Sequence, residues 1–144
     1  EYVLHSVATF ETEAVTETEM RRRITDISAS FPYLVAEKNG RILGYAYAHL
    51  WQERAAYRYT WETTVYVSSQ ALHQGIGLSL MTQLIEACRR PDCHVLIACI
   101  THGNEASYAL HDKLGFKQVA YYEKVGEKFG LRLDVTNWEL ILQP

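Results

Sequence analysis

The chain has 144 residues, of which 48% are hydrophobic and 22% are charged, and its formal net charge at pH 7 is -3. This length suits one domain with one hydrophobic core, and the composition is ordinary for a globular protein. No run of basic residues exceeds Arg21-Arg22-Arg23, so the sequence lacks the basic face of a nucleic-acid-binding protein. No apolar stretch is long enough to span a bilayer and no signal peptide is visible, so we expect a cytoplasmic protein without a membrane partner.

Three cysteines, Cys88, Cys93 and Cys99, lie in apolar surroundings. Their number is odd and their spacing contains no C-x-x-C pair, which argues against a disulfide framework and against a metal site. We therefore expect reduced thiols and no metal cofactor.

The first half of the chain contains one predicted helix and three predicted strands. Apolar residues recur at helical spacing in the polar segment 13–30, which predicts a surface helix that Pro32 ends. Asn39-Gly40 predicts a tight hairpin turn between the first two strands. Alternating, aromatic or β-branched composition predicts the strands over residues 33–38, 41–50 and 57–67.

The second half alternates between helices and strands. Helical spacing of apolar residues predicts a helix over 78–90, and the apolar run 94–100 predicts a strand buried on both faces. A helix follows over 104–114, with Asn104 as its N-cap and Gly115 as its stop. The last two strands are predicted over residues 116–125 and 134–142.

These elements predict a mixed α/β domain over residues 1–144, with a largely antiparallel sheet and one parallel crossover. No clear strand precedes the first helix, and we expect the chain to be a trimmed form of a longer protein.

A glycine-containing turn between the 57–67 strand and the next helix is the first candidate site. Free N–H groups at a helix N-terminus, with the helix dipole behind them, favour a pyrophosphate. Gly75 and Gly77 would allow a ligand to approach the backbone closely. A Rossmann dinucleotide site would need a third glycine where Leu80 stands, so we reject that interpretation.

The helix after the buried strand is the second candidate site. Asn104, Ser107 and His111 stand at helical spacing and share one face. A polar row directly after a buried strand is typical of a functional site, although a capping Asn on a solvated face would give the same pattern.

Together, Gly75-Ile76-Gly77 and the segment from Asn104 to Gly115-Phe116 resemble the GNAT acetyltransferase superfamily. The runs 62–67, 110–116 and 126–135 are similar to its phosphinothricin and methionine sulfoximine acetyltransferases. The resemblance covers residues 10–142. Leu72 departs from it, since the family has Arg or Gln there, and the family's N-terminal strand and part of its first helix have no counterpart.

The resemblance implies a GNAT fold: a mixed, mostly antiparallel sheet flanked by helices, with two central strands that splay to bind acetyl-CoA. It implies acetyl transfer to the α-amine of a small amino-acid analogue such as phosphinothricin or methionine sulfoximine, and a homodimer. Exposed side chains on the C-terminal strands, Tyr121, Tyr122 and Trp138, would permit such a dimer.

The same resemblance assigns roles to individual residues. Glu62 matches the general base, and burial of a carboxylate among apolar neighbours would disfavour its charged form. His111 matches the family's histidine, which we expect to pair with Glu62 or to handle the leaving thiolate, with Tyr108 as an alternative acid. Gln52 stands where close relatives can carry a basic residue. Trp61 and Trp138 are expected to be packing residues.

Two sets of binding residues follow from the resemblance. A backbone N–H of Val65 or Tyr66 is expected to stabilise the oxyanion. The acceptor substrate is expected to contact Phe10, Arg54, Tyr57 and Glu62, because an Arg fork suits a carboxylate or phosphinate. The acetyl-CoA contacts are expected at Val65, Tyr66, Val67, Leu72, His73, Gln74, Gly75, Ile76, Gly77, Asn104 and Ser107.

Two other functions fit the same pattern. A GNAT enzyme could act on a polyamine or a peptide amine, although Arg54 beside the acceptor argues against a cationic substrate. A non-catalytic acyl-CoA-binding sensor is the third interpretation, which Leu72 favours and the presence of Glu62 and His111 opposes.

Overall fold

The computed structural model describes residues 1–144, which contain four helices and six strands. The helices are α1 (Tyr2–His5), α2 (Glu17–Ser28), α3 (Ile76–Ala87) and α4 (Glu105–Lys113). The strands are β1 (Tyr33–Lys38), β2 (Arg41–Leu50), β3 (Thr60–Val67), β4 (Val95–Thr101), β5 (Lys117–Lys128) and β6 (Leu131–Ile141).

All six strands belong to one sheet, in the order β1-β2-β3-β4-β6-β5. The β3–β4 pair is parallel and every other neighbouring pair is antiparallel. The structure therefore confirms the predicted mixed sheet with a single parallel crossover, in which α3 connects β3 to β4. No helix is both long and apolar enough to cross a membrane.

Two hairpin turns use left-handed backbone conformations. Asn39 and Gly40 have φ values of 52° and 76°, which confirms the predicted turn between β1 and β2. Phe129 and Gly130, at φ 54° and 71°, form a similar turn between β5 and β6. The predicted strands 116–125 and 134–142 stop short of this hairpin, whereas β5 continues to Lys128 and β6 begins at Leu131. Glycine at position 126 favours the end of a strand, but Gly126 lies within β5.

Local hydrogen bonds move two predicted boundaries. The helix predicted from residue 13 begins at Glu17, because the Thr16 hydroxyl accepts the N–H of Glu19 at 3.1 Å. The strand predicted from Tyr57 begins at Thr60, since residues 55–57 form a short 3₁₀ turn. α3 begins and ends earlier than the predicted helix 78–90, and α1 was not predicted.

The hydrophobic core lies between α3, α4 and one face of the sheet. Met81 and Leu84 of α3 are fully buried against this face. Trp61 and Trp138 are 2% and 8% exposed, so both are packing residues as predicted. The expected exposure of Trp138 at a dimer surface was therefore wrong, because its side chain points into the core rather than to solvent.

The opposite face of the sheet carries Glu62 and is crossed by the N-terminal segment, residues 2–10. This segment makes hydrogen bonds to three different strands, so it bridges the middle of the sheet to its β5 edge. The bonds run from Tyr2 Oη to the carbonyl of Val67, from Thr101 Oγ1 to the carbonyl of Val7 (2.8 Å), and from Lys128 Nζ to the carbonyl of Thr9 (2.6 Å).

Candidate active site

β3 and β4 separate halfway along their length. They pair only from Thr60 to Thr63 of β3, opposite Val95 to Ala98 of β4. Beyond this point the residues 64–67 have no partner on β4 and pair only with β2. The result is the splayed pair of central strands that the sequence predicted, open toward the start of α3.

The hydrogen-bond pattern identifies which backbone groups face this gap. The N–H groups of Ser68 and Trp51 donate across the β2–β3 pair, to the carbonyls of Leu43 and Thr60. In an unbroken antiparallel register, alternate residues bond to the same neighbour, so Tyr66 also bonds to β2. Val65 and Val67 then direct their N–H groups toward the gap. Of the two expected oxyanion donors, Val65 therefore directs its N–H toward the gap and Tyr66 does not.

A series of unpaired backbone N–H groups lies where β3 leads into α3. None of the N–H groups from Leu72 to Leu78 donates to a protein acceptor, and α3 has no capping side chain. His73 and Gly75 have φ values of 62° and 76°, which curve the backbone so that these groups converge. A converging set of N–H groups at a helix N-terminus suits the pyrophosphate of acetyl-CoA.

The two glycines of this turn have different structural roles. Gly75 has a positive φ, which glycine adopts without strain because it lacks a Cβ. The space around it is open, since a Cβ there would meet nothing within 4 Å. A Cβ at Gly77 would lie 3.5 Å from Leu110 and 3.6 Å from Val67, which is ordinary packing contact. The side chain of Leu72 is 45% exposed and offers no polar contact to a phosphate.

The polar row on α4 faces the protein. Asn104 caps the helix, since its Oδ1 accepts the N–H of Ser107 at 3.2 Å. Ser107 and His111 are neighbours one turn apart, and the carbonyl of Ser107 lies 2.8 Å from His111 Nδ1. The predicted common face is confirmed, and the Asn104 side chain retains only its Nδ2 for a ligand.

His111 is held as a neutral imidazole. It is 3% exposed, and burial lowers its pKa below the usual value, although the hydrogen bond to Ser107 opposes the shift. A carbonyl can only accept, so Nδ1 carries the proton and Nε2 is left as an acceptor. His111 makes no contact with Glu62, so the expected pairing of these two residues was wrong. Tyr108, whose Oη lies 3.1 Å from His102 Nδ1, remains the other candidate acid.

Glu62 pairs instead with His49, on the neighbouring strand. The two residues are register partners in the β2–β3 pair, and His49 Nε2 lies 3.3 Å from Glu62 Oε2. His49 Nδ1 lies 2.8 Å from the carbonyl of Leu50. The side chains are 36% and 28% exposed, so solvent reaches both groups. Sequence reasoning gave His49 no role; the alternation Tyr45, Tyr47, His49 along one face was the available signal.

Cys99 lies beside Glu62 on the adjacent strand. Ile97, two residues earlier on β4, pairs with Glu62. Side chains two residues apart on a strand share a face, so Cys99 and Glu62 lie on the same face of the sheet. Solvent reaches Cys99 through the gap, yet the protein partly desolvates the thiol. This desolvation, together with the charge of Glu62, raises the pKa of Cys99 to about 11.

The four predicted acceptor residues do not share one cavity, and Glu62 does not line the depression that contains Arg54 and Tyr57. Arg54 and Tyr57 line an open depression of about 700 Å³ next to the end of β2, together with Trp51, whose ring packs edge-on against Tyr57 at 5.3 Å. Phe10 does not line it; its ring rests on Gly126 of β5. The structure thus joins Arg54 and Tyr57 and separates them from Phe10.

A tyrosine-lined cavity was not predicted. It measures about 600 Å³ and lies between the sheet, α2 and the N-terminal segment. Tyr33 and Tyr47 stack at 4.9 Å, and Tyr45 and Tyr66 lie 5.4 Å apart. Its rim carries the carboxylate of Glu11. Tyr47 is also the neighbour of His49, at 5.9 Å between rings, so this cavity leads toward Glu62.

Comparison with known proteins extends this picture. A family model described as the acetyltransferase (GNAT) family matches residues 2–116. The chain is 42% identical over 135 residues to a phosphinothricin N-acetyltransferase from Alcaligenes faecalis, covering 92% of this chain and 68% of that protein.

One further relative is similar in sequence, and a solved structure is similar in fold. An L-methionine sulfoximine/L-methionine sulfone acetyltransferase from Salmonella typhimurium is 38% identical over 141 residues, covering 97% of this chain and 82% of that protein. The crystal structure of a GNAT superfamily phosphinothricin acetyltransferase from Sinorhizobium meliloti, in complex with acetyl-CoA, superposes with a TM-score of 0.93 at 35% identity. That match covers 99% of this chain and 78% of the other.

Proposed function

Because this chain belongs to the GNAT acetyltransferase family, we propose that it transfers the acetyl group of acetyl-CoA to the α-amine of a small amino-acid analogue. The favoured acceptors are phosphinothricin and methionine sulfoximine or sulfone. A relative that is 42% identical is named for the first, and a relative that is 38% identical is named for the other two. The observation that carries the proposal is the open β3–β4 gap, which leads from Glu62 to the unpaired N–H groups at the start of α3.

The unpaired N–H groups of residues 72–78 would hold the pyrophosphate of acetyl-CoA. The Val65 and Val67 N–H groups would then bond the pantetheine arm as a neighbouring strand would. When bound, acetyl-CoA supplies the activated acetyl thioester. Asn104 Nδ2 and Ser107 lie at the N-terminus of α4, from which they would contact the same arm.

Glu62 would accept the proton that the acceptor's ammonium group must lose before it can attack. The Val65 N–H would donate to the carbonyl oxygen as negative charge develops on it. One acid must then protonate the departing sulfur. His111, with an acceptor at Nε2, is suited to position the thiol, whereas Tyr108 carries a hydroxyl proton that it can donate.

Arg54 would bind the acidic group of the acceptor. Its guanidinium makes no ion pair within the protein, and the depression that it lines with Tyr57 is open. An unpaired Arg fork can accept a carboxylate or phosphinate with two parallel hydrogen bonds. A polyamine offers no such group, which favours the amino-acid analogues over a polycationic acceptor.

The protein is further proposed to be a cytoplasmic homodimer. Apolar side chains that are more than half exposed cluster on the β5–β6 hairpin and would be covered by a second copy. They belong to Val119, Val125, Phe129 and Leu131. Light scattering coupled to size-exclusion chromatography tests this, and a monomeric mass at micromolar concentration would refute it.

A thiol-release assay with acetyl-CoA tests the function on phosphinothricin, methionine sulfoximine, methionine sulfone, spermidine and a short peptide. Glu62→Gln should lower kcat/KM for the amino-acid analogues by about 10²- to 10⁴-fold, the usual loss of a general base. Its affinity for acetyl-CoA should stay unchanged. Glu37→Gln, which alters an exposed glutamate on β1, is the matched control and should behave as wild type.

Each of the other outcomes selects a different function. Turnover of spermidine or peptide alone would overturn the amino-acid acceptor and retain the transferase. Binding of acetyl-CoA without turnover of any amine would identify a non-catalytic acyl-CoA-binding protein.

A further inference from the structure

The geometry of the contact between Glu62 and His49 is that of an ion pair that holds one proton, as the donor and acceptor atoms of the imidazole indicate. His49 Nδ1 faces the carbonyl of Leu50 at 2.8 Å, and a carbonyl oxygen only accepts, so Nδ1 carries a hydrogen. If His49 were neutral, its Nε2 would present a lone pair to Glu62 Oε2 at 3.3 Å. Two acceptors repel each other at that distance, so the observed geometry favours the pair with one proton, on nitrogen or on oxygen, and the pair that has lost this proton is a base.

The groups that surround this pair do not supply a cation that could take the place of its proton. Tyr47 on β2 and Tyr66 on β3 both have a pKa raised by burial, and Cys99 on β4 has a pKa of about 11. The carboxylate of Glu11, on the N-terminal segment, adds negative charge that acts on both tyrosines. None of these groups is a cation that could replace the proton between Glu62 and His49.

We propose that His49 is a positioning residue that acts through Glu62: the two side chains hold one proton between them and, once it is released to water, serve as a single base toward the acceptor amine. This inference rests on the proposed acetyl transfer and adds to it the residue that orients the carboxylate and receives its proton. His49 touches Glu62 and Leu50, whereas only Glu62 needs to reach the substrate.

Acetyl transfer begins after the pair has released its proton to water, which leaves a carboxylate on Glu62 and a neutral His49. The acceptor's ammonium group then gives one proton to a Glu62 oxygen, breaking an N–H bond and forming an O–H bond. That proton moves from Oε2 to His49 Nε2 and is later lost to water. The second amine proton departs with the sulfur of CoA, so the reaction releases one proton per acetyl group.

The pairing sets the acidic side of the pH profile. The hydrogen bond with Glu62 raises the pKa of His49 above 6.5, while its partial burial opposes the shift. Below that raised pKa His49 carries a proton and cannot take one up from Glu62, so kcat/KM falls as pH decreases through it. Without the imidazole, this limb should leave the pH range in which a histidine titrates.

The test compares wild type, His49→Gln and the control His5→Gln, which alters an exposed histidine on α1. With the same acceptor, His49→Gln should move the acidic limb of kcat/KM down by about one pH unit or more, in line with the change from imidazole to carboxyl. The plateau value of kcat/KM for this variant should fall about ten-fold, because a weaker base remains. His5→Gln should match wild type, and an unmoved limb in His49→Gln would overturn the inference.

A second measurement needs no substrate. It therefore tests the inference even if His49→Gln folds poorly or the proposed acceptor is wrong. Long-range ¹H–¹⁵N spectra of histidine-labelled wild type at alkaline pH should show His49 with its proton on Nδ1. In Glu62→Gln the pKa of His49 should decrease. A proton on Nε2, or a pKa that is the same in both proteins, would refute the shared proton even where acetyl transfer is active.

Discussion

The contact between Phe10 and Gly126 leads to a quantitative prediction for Gly126→Ala. The new Cβ would lie 2.4 Å from Phe10 Cε2 and 2.6 Å from Cζ, about 1 Å short of ordinary van der Waals contact. Gly126 pairs with Leu133 of β6, directly after an irregularity in the pairing that begins at Tyr122, and the Phe10 side chain is the freer of the two groups to move. Overpacking of this kind costs about 1–3 kcal/mol, and we expect the lower end because the ring is partly exposed.

The assay is a double-mutant cycle on thermal unfolding. Gly126→Ala should lower Tm by about 3–5 °C, as about 1 kcal/mol does in a domain of this size. Phe10→Ala removes the clash, so the double variant should be more stable than the sum of the two single changes by about 0.5–1 kcal/mol. Additive effects would show that the ring does not rest on Gly126. If Phe10 also contacts the acceptor, both single variants raise KM.

Three further changes test the other parts of the site. Gly75→Ala places a Cβ at φ 76°, which costs about 1–2 kcal/mol, and should weaken acetyl-CoA binding measured by calorimetry. Asn104→Ala removes the α4 cap and should lower the free energy of unfolding by about 1 kcal/mol in denaturant titrations. Cys99 should react with iodoacetamide before Cys88 and Cys93, because it alone of the three is exposed, as peptide mapping would show. Its raised pKa leaves little thiolate at pH 8, so the reaction should become faster as pH approaches about 11, and acetyl-CoA should slow it.

The sequence predicted those features that depend on neighbouring residues. Asn39-Gly40 adopts the left-handed pair of φ values that its composition favours, and Asn104 caps α4 through an acceptor three residues away. These interactions need no knowledge of the rest of the chain. The same local chemistry explains one failure, since the 3₁₀ turn at Tyr57 replaces the strand that its aromatic neighbours favour.

The partner of Glu62 could not be predicted because it depends on the register between two strands. His49 and Glu62 are opposite each other only because the connection after β2 contains the turn at residues 55–57, whose length fixes the pairing. A register shifted by one residue would place His49 against a side chain of the other face. His111 was assigned to Glu62 by resemblance, but α4 packs on the opposite face of the sheet, where the tryptophans lie.

β3 can supply both a base and a backbone donor because side chains and N–H groups alternate differently along a strand. Glu62 presents its carboxylate on one face, and Val65, about 10 Å farther along, directs its N–H to the strand edge. That donor is available only because β4 leaves β3 after Thr63. Continued pairing would give the sheet more hydrogen bonds, but β4 would then occupy the Val65 N–H and close the route from Glu62 to α3.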